Sequence, residues 1–232
     1  MRAISPSERN TIRLRTDTFP LLLQIGFWIC IFIAVAVVIR RLVALVHPSQ
    51  GGPPQMAGLD AAFASHTALT LAHILPALLF VSLLPFAYSR RLGASDRVER
   101  LLFPLGVIVG ITAYLMSGYA VGGWVERSAV LFFNSLFLFS LLRAWWCMRQ
   151  CDIQRKQQWM ARAVAILLGI ATTRPVMGVF FATSTLMHLN PQQFFGIAFW
   201  IGFSINLIVI ELWLRSRKSS FQFERMASHS EL

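Results

Sequence analysis

Six apolar runs alternate with polar segments along the chain. They cover about Pro20 to Val38, Ala61 to Tyr88, Leu101 to Val121, Ala129 to Cys147, Ala163 to Met187 and Phe194 to Leu214. A helix that crosses a bilayer needs about 20 predominantly apolar residues, and these runs are of that order. In hydrocarbon every backbone N–H and C=O must be bonded within the spanning structure, which a helix achieves by itself. The pattern therefore predicts an all-α, polytopic transmembrane helical bundle with six spans. Gly51, Gly52, Pro53 and Pro54 forbid a helix through the His47 to Asp60 loop. The segment HLNPQQ after the fifth run reads as a tight turn.

The polar segments differ in charge, and the difference predicts orientation. The leader, the second loop, the fourth loop and the tail carry four Lys or Arg each; the three intervening loops carry none, one (Arg127) and none. Sixteen against one is the pattern expected when both termini are cytoplasmic. This divides the chain into a cytoplasmic leader (1–19), a six-helix transmembrane domain (20–214) and a cytoplasmic tail (215–232). The first run is too long for the core of a signal peptide and lacks a small-residue cleavage site, so it reads as a retained helix. Arg40 and Arg41 lie at its far end, against the orientation rule. They read as side chains snorkelling to lipid phosphates or, alternatively, as an anion site on the outer face.

Composition narrows the class further. The chain is 56% hydrophobic and 13% charged, whereas a soluble domain has about 25% charged residues. The net charge of +11 is distributed over loop clusters rather than one face or tail, which excludes nucleic acid as the expected partner. The bilayer is the expected partner, alongside a membrane-protein subunit or a second copy of the chain. Cys30 lies within a run and reads as a packing residue. Cys147 and Cys151, four apart, lack the further ligands of a zinc site, and a disulfide is not expected in a reducing cytoplasm. Trp124, Trp145, Trp146, Trp159 and Trp213 fall near span ends, as an interfacial aromatic belt requires.

The most informative residue is Arg174, in the middle of the fifth run. A charge at that depth costs at least ~2.5–3.5 kcal/mol unless it is paired or watered. Arg174 should therefore face the bundle interior. Pro175 beside it frees a carbonyl one turn earlier. The other intramembrane polar residues are His66, His73, Asn134, Asn206 and Glu211. Asn206 is placed by depth to meet Arg174, with Thr172, Thr173 and Ser204 to complete a network. Glu211 lies about 10 Å from that level. The set reads either as a polar clamp between the fifth and sixth helices or as a binding site for a polar headgroup, quinone or substrate.

His66 and His73 are seven residues apart, hence on one helix face and about 10.5 Å apart in height. They cannot share one metal ion, though each could serve as a haem b ligand with a partner from another span, or as a proton relay. Of the remaining histidines, His47, His188 and His229, none is well inside a span. No paired carboxylates, nucleophile elbow, phosphate-binding glycine loop or zinc-protease motif is present, and Glu211 reads as the one carboxylate inside a span. A hydrolase is not expected, nor a pump that depends on a chain of carboxylates.

From about His73 to Arg215 the chain resembles a family of bacterial predicted membrane proteins known as a domain of unknown function. The resemblance rests on His73-Ile74 and Pro85-Phe86, Asp152-Ile153, Trp159-Met160-Ala161-Arg162, Thr173-Arg174, Trp200, Asn206-Leu207 and Glu211. Where relatives often have His-Arg before the third span, this chain has Glu99-Arg100; where they have a histidine before Trp-Met, it has Lys156. The resemblance implies the topology and the Arg174, Asn206 and Glu211 core, and a bacterial inner-membrane location; it implies no activity. The leading expectation is a buried polar core that binds a small polar ligand, a lipid headgroup or a partner subunit, without a cofactor. The alternatives are a b-type haem or quinone-linked redox protein using His66 and His73, and a small transporter.

Overall fold

The computed structural model describes residues 21–46, 64–88, 95–120, 122–187 and 191–229. The leader, the His47 to Asp60 loop and His188 lie outside them. Six helices follow in order: α1 Leu21–Val46, α2 Thr67–Tyr88, α3 Ser95–Ser117, α4 Gly123–Arg149, α5 Ile153–Met187 and α6 Pro191–His229. Each is long and apolar enough to cross a membrane. The six-span helical bundle expected from hydropathy is the fold observed, with no strand among the described residues.

The helices extend past their apolar centres. α1 runs on through Arg40 and Arg41, α4 starts six residues before Ala129, and α5 starts ten residues before Ala163. Hydropathy marks the hydrocarbon slab, whereas the backbone ladder ends only where capping stops it. The start of α5 shows this: Asp152 Oδ1 accepts the Arg155 N–H at 3.0 Å, an N-cap bond. Cys151 before it takes φ 57°, the left-handed corner that reverses the chain after α4. Cys147 is buried and Cys151 exposed, both as free thiols.

Neighbours in sequence pack as neighbours in space. α1 packs on α2 and α5, α2 on α3, α3 on α4, and α4 on α5, which closes a ring; α6 lies along α4 and, most extensively, α5. Phe80, Phe133, Leu84 and Leu102 are fully buried between them. Lipids offer little hydrophobic drive for helix association, so close packing through small residues carries it. Gly202 of α6 lies against the Thr173 backbone of α5, and Gly196 of α6 lies against Val125 and the Glu126 N–H of α4. Leu21, Leu22, Trp28 and Phe32 of α1, Leu142 of α4 and Leu212 of α6 face outward, as a lipid-facing surface requires.

Candidate functional site

Three arginine–tryptophan pairs lie at one end of the bundle. Arg149 lies over Trp145 at 4.6 Å, Arg162 over Trp159 at 4.6 Å and Arg217 over Trp213 at 4.9 Å. Two interhelical ion pairs lie at the same end. Lys156 of α5 donates to Glu99 of α3 at 2.7 Å, and Arg162 of α5 makes a two-pronged pair with Glu211 of α6.

That second pair corrects the sequence reading, which grouped Glu211 with Arg174 and left Arg162 in a loop. The early start of α5 brings Arg162 into the span, and Arg174 lies about 18 Å further along the same helix. Asn206 also has other partners than Arg174: it accepts from Thr172 Oγ1 at 2.8 Å and donates to the Ala165 carbonyl at 3.1 Å. Thr172 and Arg174 are two residues apart, which turns them about 200° from each other around the helix. Asn206 thus ties α6 to one face of α5, and Arg174 occupies another.

That other face opens on a cavity of about 270 Å³ to which all six helices contribute. The cavity lies in the half of the bundle that holds the C-terminal ends of α1, α3 and α5 and the N-terminal ends of α2, α4 and α6. Its wall is mostly apolar, with Phe133, Phe195, Phe199 and Phe203 prominent. Set into that wall are Arg41, His66, His73, Glu126, Asn134 and Arg174. Four of the six residues singled out from sequence therefore meet in one place, and Asn206 and Glu211 stand apart.

Each polar group reaches the cavity by a definite route. Asn134 Nδ2 donates to the Gly110 carbonyl at 2.9 Å and fastens α4 to α3. His73 Nδ1 lies 2.9 Å from Thr112 Oγ1. The Thr112 hydroxyl itself donates to the Ile108 carbonyl at 2.7 Å. Thr112 thus engages Nδ1 of His73 rather than Nε2. His66 stacks on Tyr119 with ring centroids 3.8 Å apart, and Ser65 Oγ meets its Nδ1 at 2.9 Å. The seven-residue spacing does place both imidazoles on one cavity wall. Among the described residues no three His, Cys, Asp or Glu side chains gather as a metal site.

Arg174 is the exception to this good bonding. Its guanidinium has five N–H donors; among the described residues its one hydrogen-bond contact is with the Met177 thioether, Nη1 to Sδ at 4.0 Å, and its buried Nε has no hydrogen-bond partner. Glu126 is the residue that sequence reasoning missed, because it falls between the third and fourth apolar runs, in the loop that carries Arg127. The segment is the first turn of α4, where a carboxylate complements the helix dipole and reaches the free N–H groups. Glu126 is buried, and its Oε2 accepts the Gly122 N–H at 2.6 Å. An acidic residue a few positions after a Gly-Gly break was the available signal.

No curated protein and no solved structure matches the chain. The family described as "Predicted membrane protein (DUF2306)" matches residues 70–214, from within α2 to within α6 and including His73, Glu126, Asn134 and Arg174. α1 and Arg41 precede the matched region. Six membrane-capable helices and a match over more than half of the chain agree: the protein belongs to this family of membrane proteins of unknown function.

Proposed function

We propose that the chain is a membrane-embedded binding protein whose central cavity takes a small amphipathic ligand with an anionic group. The buried, unsatisfied guanidinium of Arg174 on the cavity wall carries the reading. Buried polar groups in native proteins are almost always bonded, and an exception calls for a partner. A carboxylate or phosphate would meet the planar donor fork of Arg174 with two charge-assisted bonds. The aromatic and aliphatic wall would take an apolar body. The binding is non-enzymatic in this reading. The sixteen-to-one distribution of basic residues supports cytoplasmic termini in a bacterial inner membrane, with the cavity in the outer half of the bilayer.

The test uses full-length protein in mild detergent and dihexanoyl phosphatidylglycerol as an anionic amphiphile, read by native mass spectrometry. Wild-type protein is expected to bind it, and Arg174→Gln, which keeps shape and loses charge, to bind at least about tenfold more weakly. Equal binding by the two would overturn the reading.

A second reading, a b-type haem or quinone-linked redox protein, is favoured by one observation. Thr112 Oγ1 engages His73 Nδ1 at 2.9 Å, the second-nitrogen contact a haem-ligating histidine uses, which leaves Nε2 for a metal, and His66 lines the same cavity. It predicts a Soret band and a dithionite-dependent α-band from protein expressed with ample haem, both lost in His73→Ala. A featureless spectrum retires the haem form of this reading.

A further inference from the structure

Glu126 and Arg174 carry opposite charges on the wall of one cavity, and they do not pair. Glu126 comes from the first turn of α4 and Arg174 from the middle of α5. Elsewhere in this protein, opposite charges on different helices close directly: Lys156 on Glu99, and Arg162 on Glu211. Those pairs hold the helices at the other end of the bundle. At the cavity no salt bridge joins the two charges among the described residues: each acts on the other only across the space, and Arg40 and Arg41 of α1 add positive charge near Arg174. The Glu126 carboxylate is engaged through Oε2 by the Gly122 N–H alone. Arg127 next to it is exposed and lies over Trp124 at 5.7 Å. The close approach of Gly196 to Val125 and the Glu126 N–H fixes the start of α4 against α6, so the carboxylate is held in place.

We propose that the cavity is bipolar: its ligand carries an ammonium group for Glu126 as well as an anionic group for Arg174. This rests on the binding role assigned above and names the ligand class for the same site. A phosphate and a primary ammonium in one molecule satisfy both ends. The apolar wall around Phe199 and Phe203 suits the headgroup-proximal part of a phosphatidylethanolamine, whose chains would extend into the bilayer; a soluble phosphoethanolamine has the same two poles without chains. A group with N–H donors gives Glu126 what its cap bond does not, a charge-assisted partner. Arg174 at mid-helix and Glu126 at a helix start then set which end of the ligand enters deeper.

The experiment compares dihexanoyl phosphatidylethanolamine with dihexanoyl phosphatidylglycerol, which has the same phosphate and chains but no ammonium, on the full chain in detergent. Wild-type protein is expected to prefer the ethanolamine lipid by about tenfold, the scale of one charge-assisted contact. Glu126→Gln should remove that preference and retain phosphatidylglycerol binding, because the amide oxygen still accepts the Gly122 N–H and keeps the cap. The wild-type comparison stands even if this variant does not fold. Equal binding of the two lipids, still dependent on Arg174, would overturn the bipolar site and leave the anion site intact. Failure of both lipids to show any Arg174 dependence would overturn the binding role itself. Glycerophosphoethanolamine serves as the chain-free probe. Binding as tight as the lipid identifies a soluble ligand of the same class, and binding to the lipid alone identifies a membrane one; either result supports the two poles.

Discussion

Gly202→Val is expected to abolish accumulation of the folded protein. Gly202 lies where α6 crosses α5, the most extensive helix pair in the bundle. A Cβ there would stand 2.6 Å from Thr173 Cγ2, 2.7 Å from Thr173 N and 2.8 Å from Thr173 Cα. Two of those atoms are backbone, so no rotamer change makes room. Thr173 is fully buried and its hydroxyl donates to the Ile170 carbonyl at 2.6 Å, which holds it in position. The helices would have to separate, breaking the Thr172–Asn206 and Asn206–Ala165 bonds one turn away. Overpacking of this kind costs about 1–3 kcal/mol or more, a large share of a marginal stability. Membrane abundance and thermal melting in detergent are the readouts. Alanine should act in the same direction with a smaller effect. Wild-type melting of Gly202→Val would mean that α5 and α6 do not meet at Thr173.

The second large effect separates stability from binding. Arg174→Leu is expected to melt at or above the wild-type temperature and to lose ligand binding altogether. An arginine that held helices together would be destabilising to remove. Among the described residues Arg174 makes no salt bridge, has its Nε buried without a hydrogen-bond partner and has one weak contact with sulfur; Glu126 of α4 acts on it only across the cavity, so it clamps no helix directly. Its removal relieves a penalty of about 2.5–3.5 kcal/mol on insertion scales. Glu211→Leu is the contrast. It would strand Arg162, whose side chain is 17% exposed and bonded through both Nε and Nη2. Breaking such a pair from one side is strongly destabilising when the remaining charge is buried. The expected pattern is therefore a stable, empty Arg174→Leu and an unstable Glu211→Leu. A destabilised Arg174→Leu would assign that residue to the clamp and leave the cavity without its anion receptor.

Residue by residue, the polar core was legible to different degrees. Arg174 could be found because a charge in the centre of an apolar run is conspicuous on any hydropathy scale. His66 and His73 were placed on one face by their seven-residue spacing, since that face repeats whatever the neighbours are. Glu126 and Arg162 were misplaced for one shared reason. Both lie in helical turns that extend beyond the apolar centre of a span, and hydropathy reads such turns as loops. The grouping of Arg174 with Asn206 failed for a different reason. Depth along two antiparallel helices can be estimated from residue counts, whereas the face each residue turns to a neighbour depends on the rotation of the packed helices.

The sequence by itself determined that this is a six-helix membrane protein, because a bilayer demands about 20 apolar residues per span and a self-satisfied backbone. It also determined that an intramembrane arginine would have to face inward. Only the tertiary structure decided what that arginine faces. The rotation of α5, fixed where Gly202 admits the Thr173 backbone, turns Thr172 toward Asn206 and Arg174 toward a cavity shared with His66, His73 and Glu126. Side-chain rotation about a helix axis follows from close packing between chain-distant surfaces, and one-dimensional hydropathy carries no term for it.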